Sequence, residues 1–397
     1  MNNKRGRDAP LPDRLVRGDL THNVIVLSGL MGRVPAPVMV LLCLVPALGV
    51  GRPFAAPWIA AAVLVLATVT DALLVWSLPR LEMSFGPVQG PLVVFTLGRH
   101  LLALPLALLP AGWDLGALVL VQLLLTACSL WGHLVEPFRV RVTRVRAPIL
   151  AHPTERPVRM VLLTDLHMER PTRRERQVLD LVDDLAPDLV LFGGDLLNLS
   201  YVTDARALED ARSFMERLVA RHDLRVVLGN PTVELRHVVR PFWESVGVTP
   251  MESASESLVL GGARLRLYGL PASRNLDEDA ERLARLMADH PPSPGEATVL
   301  LYHLPDLVGR APGIALYLAG HTHGGQIRMP LLGPLFTAST VDRRMAQGTH
   351  RVGDTMLHTS RGLGMEGAGA PRMRFLCPPE VTLVDLVEAE SRTTGSC

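Results

Sequence analysis

The chain has 397 residues, of which 48% are hydrophobic and 20% are charged, and its mean hydropathy is +0.25. This average is too apolar for a soluble enzyme of this length, so part of the chain is expected to lie in lipid. The formal net charge of +1 argues against a strongly basic nucleic-acid binder, and the four scattered cysteines argue against a disulfide framework or a cysteine zinc site.

Most of the apolar excess lies in a membrane domain predicted at residues 34–135, after a basic cytoplasmic arm at residues 1–33. This domain carries only six charged residues: Arg52, Asp71, Arg80, Glu82, Arg99 and Asp114. Residues 55–78 and 115–135 are each long enough to cross a hydrocarbon core of roughly 30 Å. These two segments are therefore predicted to be transmembrane helices.

Two weaker segments decide whether the domain has three or four transmembrane helices. Residues 91–110 contain Arg99 and His100, and residues 34–50 are short and interrupted by prolines. Arginines flank the apolar region on both sides, so the positive-inside rule places both flanks in the cytoplasm, which needs four spans. The rest of the chain is therefore expected on the cytoplasmic side of the cell membrane.

Charged residues inside the apolar segments permit two interpretations. Asp71, Arg99 and His100 either pack against other helices of the bundle or form a lipid or ion site. Charge at the bilayer centre costs roughly 2.5 to 3.5 kcal/mol on insertion scales, so each such residue needs a partner. A transporter or channel is less well supported than an anchor, because transport pathways usually contain more polar residues.

Beyond residue 148 the sequence alternates short apolar runs with amphipathic stretches. Residues 160–164, 189–192 and 224–228 are predicted to be buried strands, and residues 171–186 and 205–220 helices. This alternation is typical of a layered α/β fold.

The later part of this domain is richer in strands than in helices, which indicates a mixed sheet or two stacked sheets. One helix is predicted at residues 277–289. The predicted strands are at residues 263–270, 298–302, 314–318, 355–359 and 381–386. The predicted organisation is a linker at residues 136–157, the α/β domain at residues 158–389 and a tail at residues 390–397.

Residues of the kinds that bind metals follow directly after five of the predicted strands. Because the carboxyl ends of parallel strands meet at one edge of a sheet, these side chains are expected to converge. They are Asp165, His167, Asp195, Asn230, His303, His321 and His323. Four imidazoles, two carboxylates and an amide suit two divalent ions such as Mn, Fe, Zn or Co. Two ions roughly 3.5 to 4 Å apart can hold a bridging hydroxide and clamp a phosphoryl group, which predicts phosphoester hydrolysis.

The spacing of these residues forms a specific set of motifs: EP at 136–137, TDLH at 164–167, GGDLLN at 193–198, GN at 229–230, HLP at 303–305, GHTHGGQ at 320–326, SRGLG at 360–364 and PPE at 378–380. This set resembles the calcineurin-like metallophosphoesterases, and more narrowly their membrane-attached bacterial branch. The resemblance implies transmembrane helices followed by a four-layer αββα sandwich with mixed sheets.

The resemblance also assigns the ligands. It implies that one ion is held by Asp165, His167, Asp195 and His323, and the other by Asp195, Asn230, His303 and His321. Asp195 would then bridge the two ions.

The third motif departs from the family pattern, in which GN is followed by a histidine and an acidic residue. Here Pro231 and Thr232 stand in those places. A positioned proton donor is typically worth about 10² to 10⁴-fold, so its absence is expected to slow hydrolysis without abolishing the metal centre. His237 and His222 are the nearest replacement donors in the sequence. Arg361 could hold a phosphate by its bidentate fork, or it could be a packing residue.

The sequence thus predicts a membrane-anchored phosphoric ester hydrolase with two metal ions, in which Asp195, His237 and Arg361 are the candidate catalytic residues. A phospholipid or other lipid-linked phosphodiester fits a site anchored beside lipid, whereas a soluble or cyclic nucleotide would need the same metal set. The alternative is a metal-binding membrane sensor or scaffold with weak or no turnover. The expected partners are the phosphoester substrate and the bilayer, without a nucleic-acid-binding surface.

Overall fold

The computed structural model describes residues 31–273, 275–367 and 371–389. The predicted tail and nearly all of the basic arm lie outside these residues. The chain divides into two compact units. Of the described residues, the first unit contains those up to Pro137 together with those between Glu366 and Phe375, and the second contains those between Phe138 and Met365 and those from Leu376 to residue 389.

The first unit is built from apolar helices: α1 (Ala36–Gly51), α2 (Pro57–Ser77), α3 (Gln89–Ala103) and α4 (Trp113–Leu134). A 3₁₀ turn extends α3 to Leu108. Within the described residues, three segments are long and apolar enough to cross a membrane, and they are Pro57–Ser77, Gln89–Leu108 and Trp113–Phe138. Of the three or four transmembrane helices predicted from the sequence, the structure therefore contains three of sufficient length.

The fourth expected span corresponds to α1, which is short. It has 16 residues and contains Pro46. A helix of this length rises about 24 Å, less than the roughly 30 Å of the hydrocarbon core. Three spans alone would put the two flanks of the region on opposite sides of a membrane. The distribution of arginines therefore does not by itself place the second unit.

Arg99 lies in a buried polar cluster between helices of the first unit. Its Nε and Nη2 donate to the two carboxylate oxygens of Asp71 at 2.6 and 2.8 Å, and its Nη1 donates to Gln122 Oε1 at 3.1 Å. His100 Nδ1 donates to the backbone oxygen of Thr96 at 2.6 Å. Because the two buried charges neutralise each other and are hydrogen-bonded, their burial costs far less. This geometry favours the interpretation that Asp71 and Arg99 pack the helices together.

The second unit begins with alternating strands and helices and ends mostly in strands. Its strands are β1 (Arg141–Leu150), β2 (Val158–Leu163), β3 (Leu189–Phe192), β4 (Leu224–Val226), β5 (Ala254–Leu260), β6 (Ala263–Leu270), β7 (Ala297–Tyr302), β8 (Leu316–Ala319), β9 (Arg328–Met329), β10 (Gly333–Pro334), β11 (Gly348–Val352), β12 (Thr355–Thr359) and β13 (Glu380–Glu388). Its helices are α5 (Arg173–Leu185), α6 (Ala205–Val219), α7 (Arg236–Val246) and α8 (Leu276–Asp289). The structure forms β3, β6 and β12 with the predicted bounds.

These strands form two mixed sheets. The first has the order β1-β13-β2-β3-β4, with β2, β3 and β4 parallel and β13 antiparallel to β2. The second has the order β11-β12-β8-β7-β6-β5, in which the four central strands are parallel and both edge strands are antiparallel. The remaining strands, β9 and β10, pair with each other as a short hairpin.

The two sheets share one apolar core and each carries helices on its other face. Leu162 of the first sheet and Leu301 of the second lie in the same buried cluster. Trp243 of α7 packs in the cluster on the outer face of the first sheet, and Leu283 of α8 packs in the cluster on the outer face of the second. The order of layers is therefore helix, sheet, sheet, helix, which confirms the predicted αββα sandwich.

Residues 136–157 are not a linker, because they contain β1. This strand pairs in parallel with β13 along its whole length. Along β1 the exposed side chains of Arg144 and Arg146 alternate with the buried side chains of Val145 and Ala147. An edge strand tolerates charges on its solvent face, so arginines that look like a membrane flank belong to the sheet.

Three further elements have no clear sequence signal. Pro241 lies inside α7 and would usually end a helix, which hides the apolar face of that helix. β5 and β11 are the edge strands of the second sheet and bury few side chains. Half-exposed edge strands show weak alternation, so periodicity does not find them.

Candidate metal centre

Five of the seven residues predicted to bind metal have left-handed backbone angles. The φ angles are 53° for Asp165, 44° for His167, 58° for Asp195, 72° for His321 and 50° for His323. Such angles cost a residue other than glycine about 1 to 3 kcal/mol, and they concentrate at functional sites. They turn the chain sharply just after β2, β3 and β8 and direct the side chains to one edge of the sheets.

Glycines allow the backbone to approach the two aspartates closely. A Cβ atom on Gly320 would lie 2.4 Å from Asp165 Oδ2, and one on Gly229 would lie 2.2 Å from Asp195 Oδ1. Neither position has room for a side chain, so only glycine fits. This requirement explains the glycines that precede the histidines of GHTHGGQ and the asparagine of the third motif.

Asp165, His167 and His323 form the first of two groups that could hold a metal ion. Their ligand atoms lie within 4.8 Å of one another, and all three residues are buried. The Nε2 atoms of His167 and His323 are 3.0 Å apart, and His323 Nε2 is 3.7 Å from Asp165 Oδ1. Three donors therefore point to one small volume.

Asp195, His303 and His321 form the second group. Asp195 Oδ2 lies 3.3 Å from His303 Nε2 and also 3.7 Å from His167 Nε2, which belongs to the first group. The Asp195 carboxylate therefore stands between the two groups, where a bridging ligand would have to be.

Hydrogen bonds to backbone carbonyls orient two of the imidazoles. His303 Nδ1 donates to Gly193 O at 2.8 Å, and His321 Nε2 donates to Ala338 O at 3.0 Å. A carbonyl oxygen only accepts, so each bonded ring nitrogen carries the proton and the other nitrogen has a free lone pair. This arrangement leaves His303 Nε2 and His321 Nδ1 as the atoms available for a metal.

The donor set fits a pair of divalent ions. His303 Nε2, the nitrogen that faces Asp195, is buried and forms no hydrogen bond within the described residues. An unsatisfied buried nitrogen is costly unless a ligand pairs with it. Imidazole nitrogens together with carboxylate oxygens are the donors that borderline metals prefer.

Strong electrostatic coupling links the two groups. Burial favours protonated Asp195, but the histidines around it, His303 first, hold the pKa of this carboxyl well below its usual range. Burial also opposes a charged His303, but Asp195 and Asp165 outweigh it and raise the pKa of His303 to about 10. An ion that binds His303 must displace this proton, so metal affinity is expected to rise with pH.

Asn230 lies directly beside the second group. Its backbone N–H donates to Asp195 Oδ1 at 2.8 Å. Its side-chain oxygen accepts a hydrogen bond from the backbone N–H of Thr232 at 2.9 Å. An amide oxygen has two lone pairs, so this turn leaves one of them for a ligand. The role of Asn230 as a ligand stays a prediction.

Glu234 is a buried carboxylate that the sequence analysis missed. It is fully buried and accepts hydrogen bonds from the backbone N–H groups of Leu196, at 2.9 Å, and Gly229, at 2.5 Å. Burial and the nearby charge of Asp195 raise the pKa of Glu234 to about 7. Glu234 ties the loop after β3 to the loop after β4 and so fixes Asp195 relative to Asn230. The sequence does contain a signal for this residue. The family pattern places an acidic residue at the position of Thr232, and Glu234 lies two positions later.

The structure pairs Arg361 with other residues of its own unit. Its Nε lies 2.5 Å from Glu380 Oε2, and its Nη2 donates to Thr143 Oγ1 at 3.2 Å. This pairing favours the interpretation of Arg361 as a packing residue rather than a phosphate ligand.

The two candidate proton donors lie in different places. His222 precedes β4 and its Nε2 is 2.9 Å from Asp183 Oδ1, so it lies at the end of the sheet opposite to the metal groups. It is therefore wrong as a donor. His237 lies in the first turn of α7 with its side chain exposed, and its role stays a prediction.

The stability of the second unit is expected to depend on Glu380 in acid. Burial favours protonated Glu380, but His358 and Arg361 lower its pKa to about 2, against 4.5 for a free glutamate. The charged form therefore stabilises the fold above pH 4.5 by about 3 kcal/mol, and this contribution is lost as the pH falls towards 2. Glu380→Gln is expected to lower the unfolding temperature at pH 7 and to flatten its decline below pH 4.5.

Thermal unfolding of the full chain in detergent at a series of pH values measures this effect. Glu388→Gln is the matched control, because Glu388 is an exposed glutamate on the same strand. If Glu380→Gln unfolds with the wild-type pH profile, the ion pairs of Glu380 do not stabilise the fold.

Comparison with known proteins supports the family resemblance of the second unit. Residues 158–325 match the family described as calcineurin-like phosphoesterase. Phosphodiesterase YaeI of Escherichia coli (strain K12) is 29% identical over 246 residues, which cover 58% of this chain and 83% of that protein. The uncharacterized metallophosphoesterase YkuE of Bacillus subtilis (strain 168) is 25% identical over 277 residues, 66% of this chain and 91% of that protein.

A third relative is named as a transmembrane protein. The transmembrane protein with metallophosphoesterase domain of Bos taurus is 26% identical over 272 residues, 62% of this chain and 58% of that protein. Residues 158–325 of the present chain are thus similar to calcineurin-like phosphoesterases, and three helices long and apolar enough to span a membrane come before them in the sequence.

Proposed function

We propose that this protein is a membrane-anchored phosphodiesterase with two divalent metal ions. The observation that carries the proposal is the pair of Asp/His groups with Asp195 between them. When bound, two ions supply Lewis-acid polarisation of the phosphoryl oxygens and activation of water. The name of the bacterial relative, a phosphodiesterase, supports a diester over a monoester.

The side chains around the two groups would keep the ligands in position. Thr164 Oγ1 donates to Asp165 Oδ2 at 2.9 Å, and the backbone N–H of His321 donates to Asp165 Oδ1 at 3.0 Å. Such outer hydrogen bonds fix the orientation of a ligand before the ion binds. Pre-organisation of this kind supports a catalytic site, because the ligands need little rearrangement during the reaction.

An open cavity of about 420 Å³ lies beside the third motif. Pro231 lines this cavity together with Arg236, Arg240 and Arg282, and Glu252 is the acidic residue on its wall. Arg240 is paired with Glu252 at 2.9 and 2.6 Å, and Arg282 donates to Glu278 at 2.7 Å, so these arginines already have carboxylate partners. Pro231 cannot donate a proton, so the leaving group either departs unprotonated or takes its proton from another donor, for which His237 remains our candidate.

We further propose that the anchor lies in a bacterial cell membrane, with the second unit on its cytoplasmic face and a lipid-linked phosphodiester as substrate. The positive-inside rule gives this side when α1 also crosses the membrane, so the proposal requires a fourth span. Protease protection of a carboxyl-terminal tag in sealed vesicles of known orientation tests that side.

Hydrolysis of model esters by the full chain in detergent tests the proposed activity. After reloading with Mn, Fe, Zn or Co, we expect two ions per chain and turnover of bis(p-nitrophenyl) phosphate that a chelator abolishes. A panel with p-nitrophenyl phosphate and a cyclic nucleotide distinguishes diesters from monoesters. Tight binding of metal without turnover on any phosphoester would instead identify a metal-binding sensor or scaffold.

A further inference from the structure

The segment that follows GHTHGGQ exposes a dense group of large apolar side chains. β9 and β10 form a hairpin in this segment, and Pro330, Leu331 and Leu332 lie at its tip. Leu331 is fully exposed and Leu332 is 74% exposed. The other three exposed apolar side chains are Met329, Leu335 and Phe336.

This exposure is confined almost entirely to the hairpin. Among the described residues of the second unit, only Val259 and Leu376 are other large apolar side chains with comparable exposure. Apolar residues scattered singly on a surface need no explanation, but five exposed ones within residues 329–336 indicate an interaction site. The patch therefore needs an apolar partner.

The base of the hairpin is fixed while its tip projects. Leu335 N–H donates to Ile327 O at 3.2 Å, and Arg328 Nη1 donates to Gly324 O at 2.8 Å. At the tip Leu331 has a φ of 67°, a left-handed angle that glycine or asparagine adopts much more readily than leucine. A leucine held in this strained conformation, with its side chain in water, indicates that the side chain itself has a use.

Positive charge surrounds the base of the apolar tip. Arg343 and Arg344 lie in the 3₁₀ turn after the hairpin with exposed side chains, and Arg343 Nη2 donates to Leu335 O at 3.2 Å. With Arg328 they make three arginines, against Asp342 as the single acidic residue between residues 324 and 347. An apolar tip with a basic rim is complementary to a bilayer with anionic headgroups, because arginines can remain at headgroup level while leucines enter the apolar region.

The hairpin lies next to the metal groups along the chain and in space. It begins five residues after His323, and the chain that leaves it returns to the site, where Ala338 O accepts from His321 Nε2 at 3.0 Å. The chain also contains three membrane-length segments. The third ends at Phe138, and β1 of the second unit begins shortly after it, at Arg141. A bilayer surface is therefore always available to the second unit.

We propose that the hairpin, residues 328–336, inserts its apolar tip into the lipid bilayer and holds the metal centre at the level of the phospholipid headgroups. Leu331 and Leu332 enter the apolar boundary, and Arg328, Arg343 and Arg344 contact anionic headgroups. The consequence for substrate choice, a headgroup phosphodiester, rests on the proposed function. The insertion itself does not.

Photocrosslinking in a bilayer tests the insertion without any measurement of activity. The full chain is reconstituted in vesicles of equal parts phosphatidylcholine and phosphatidylglycerol, with p-benzoylphenylalanine in place of Leu331 or, as a matched control, of Val259. Mass spectrometry is expected to show phospholipid attached at position 331 and none at position 259. Attachment at position 331 to protein, whether a second copy or the same chain, would overturn the proposal, and so would the absence of any lipid adduct there.

A second variant separates docking from catalysis. The double variant Leu331→Ser with Leu332→Ser removes the two apolar side chains that are proposed to enter the bilayer, and it is expected to weaken docking by at least about 100-fold. The variant should lose lipid crosslinking from p-benzoylphenylalanine at position 336, while Val259→Ser should keep it. Turnover of soluble bis(p-nitrophenyl) phosphate should be unchanged, and hydrolysis of vesicle phosphodiesters should fall. If crosslinking behaves as expected but no form of the protein hydrolyses any ester, the proposed function fails and the hairpin proposal stands. Unchanged crosslinking in the double variant would overturn the hairpin proposal.

Discussion

Asp195→Asn is expected to abolish metal-dependent phosphodiester hydrolysis and to release at least one of two bound ions. The carboxylate of Asp195 is buried and lies within 4 Å of one histidine from each group, His303 and His167. Its replacement removes a negative charge that lies between the two groups. Since a metal ion contributes several kcal/mol of transition-state stabilisation, kcat should fall by at least about 10³-fold.

Metal content by mass spectrometry and kcat with bis(p-nitrophenyl) phosphate measure this effect. The matched control is Asp183→Asn, because Asp183 also pairs with a histidine, His222, but at the other end of the first sheet. The control should keep two ions and wild-type turnover. Retention of both ions and full activity in Asp195→Asn would show that Asp195 does not bridge the site.

Pro231→His is expected to raise the rate on esters with poor leaving groups. Pro231 follows Asn230, whose backbone is bonded to Asp195, so a histidine here would stand beside the metal groups. A positioned proton donor is worth about 10² to 10⁴-fold when the leaving oxygen needs a proton, and little when it does not. The expected gain is therefore at least about 10²-fold on an alkyl phosphodiester and close to none on a p-nitrophenyl diester.

The ratio of kcat on these two substrates measures the effect independently of the amount of active enzyme. Pro271→His is the matched control, since Pro271 lines the same cavity but does not follow a predicted metal ligand. If Pro231→His leaves both rates unchanged while Asp195→Asn abolishes them, a missing proton donor does not limit the enzyme.

Local sequence was sufficient for much of the fold. β3, β6 and β12 have the predicted bounds, because each is a short apolar run with polar or turn residues at its ends. The same reasoning placed metal-type residues at the carboxyl ends of strands, and the structure brings six of the seven into two groups. Side-chain chemistry and strand ends are local properties, so a single sequence can reveal them.

Elements at edges escaped local reasoning. β1 lies in the predicted linker because its arginines look like a membrane flank, and only its pairing with β13 shows which face is solvent-exposed. Glu234 has no local signature of its role, since its two partners belong to loops after different strands. In both cases the deciding contacts are between segments far apart in the chain.

The sequence by itself determined the family resemblance, the apolar segments and the types of metal ligands, because these depend on composition and short-range spacing. The tertiary structure decided which ligands meet, as with His167 and His323, whose ring nitrogens are 3.0 Å apart across 156 positions of sequence. It also assigned Arg361 to Glu380 and left the hairpin at Leu331 uncovered. Periodicity reveals which side of an element is apolar, but the order of strands in the sheets decides what each side chain contacts and what remains open to solvent.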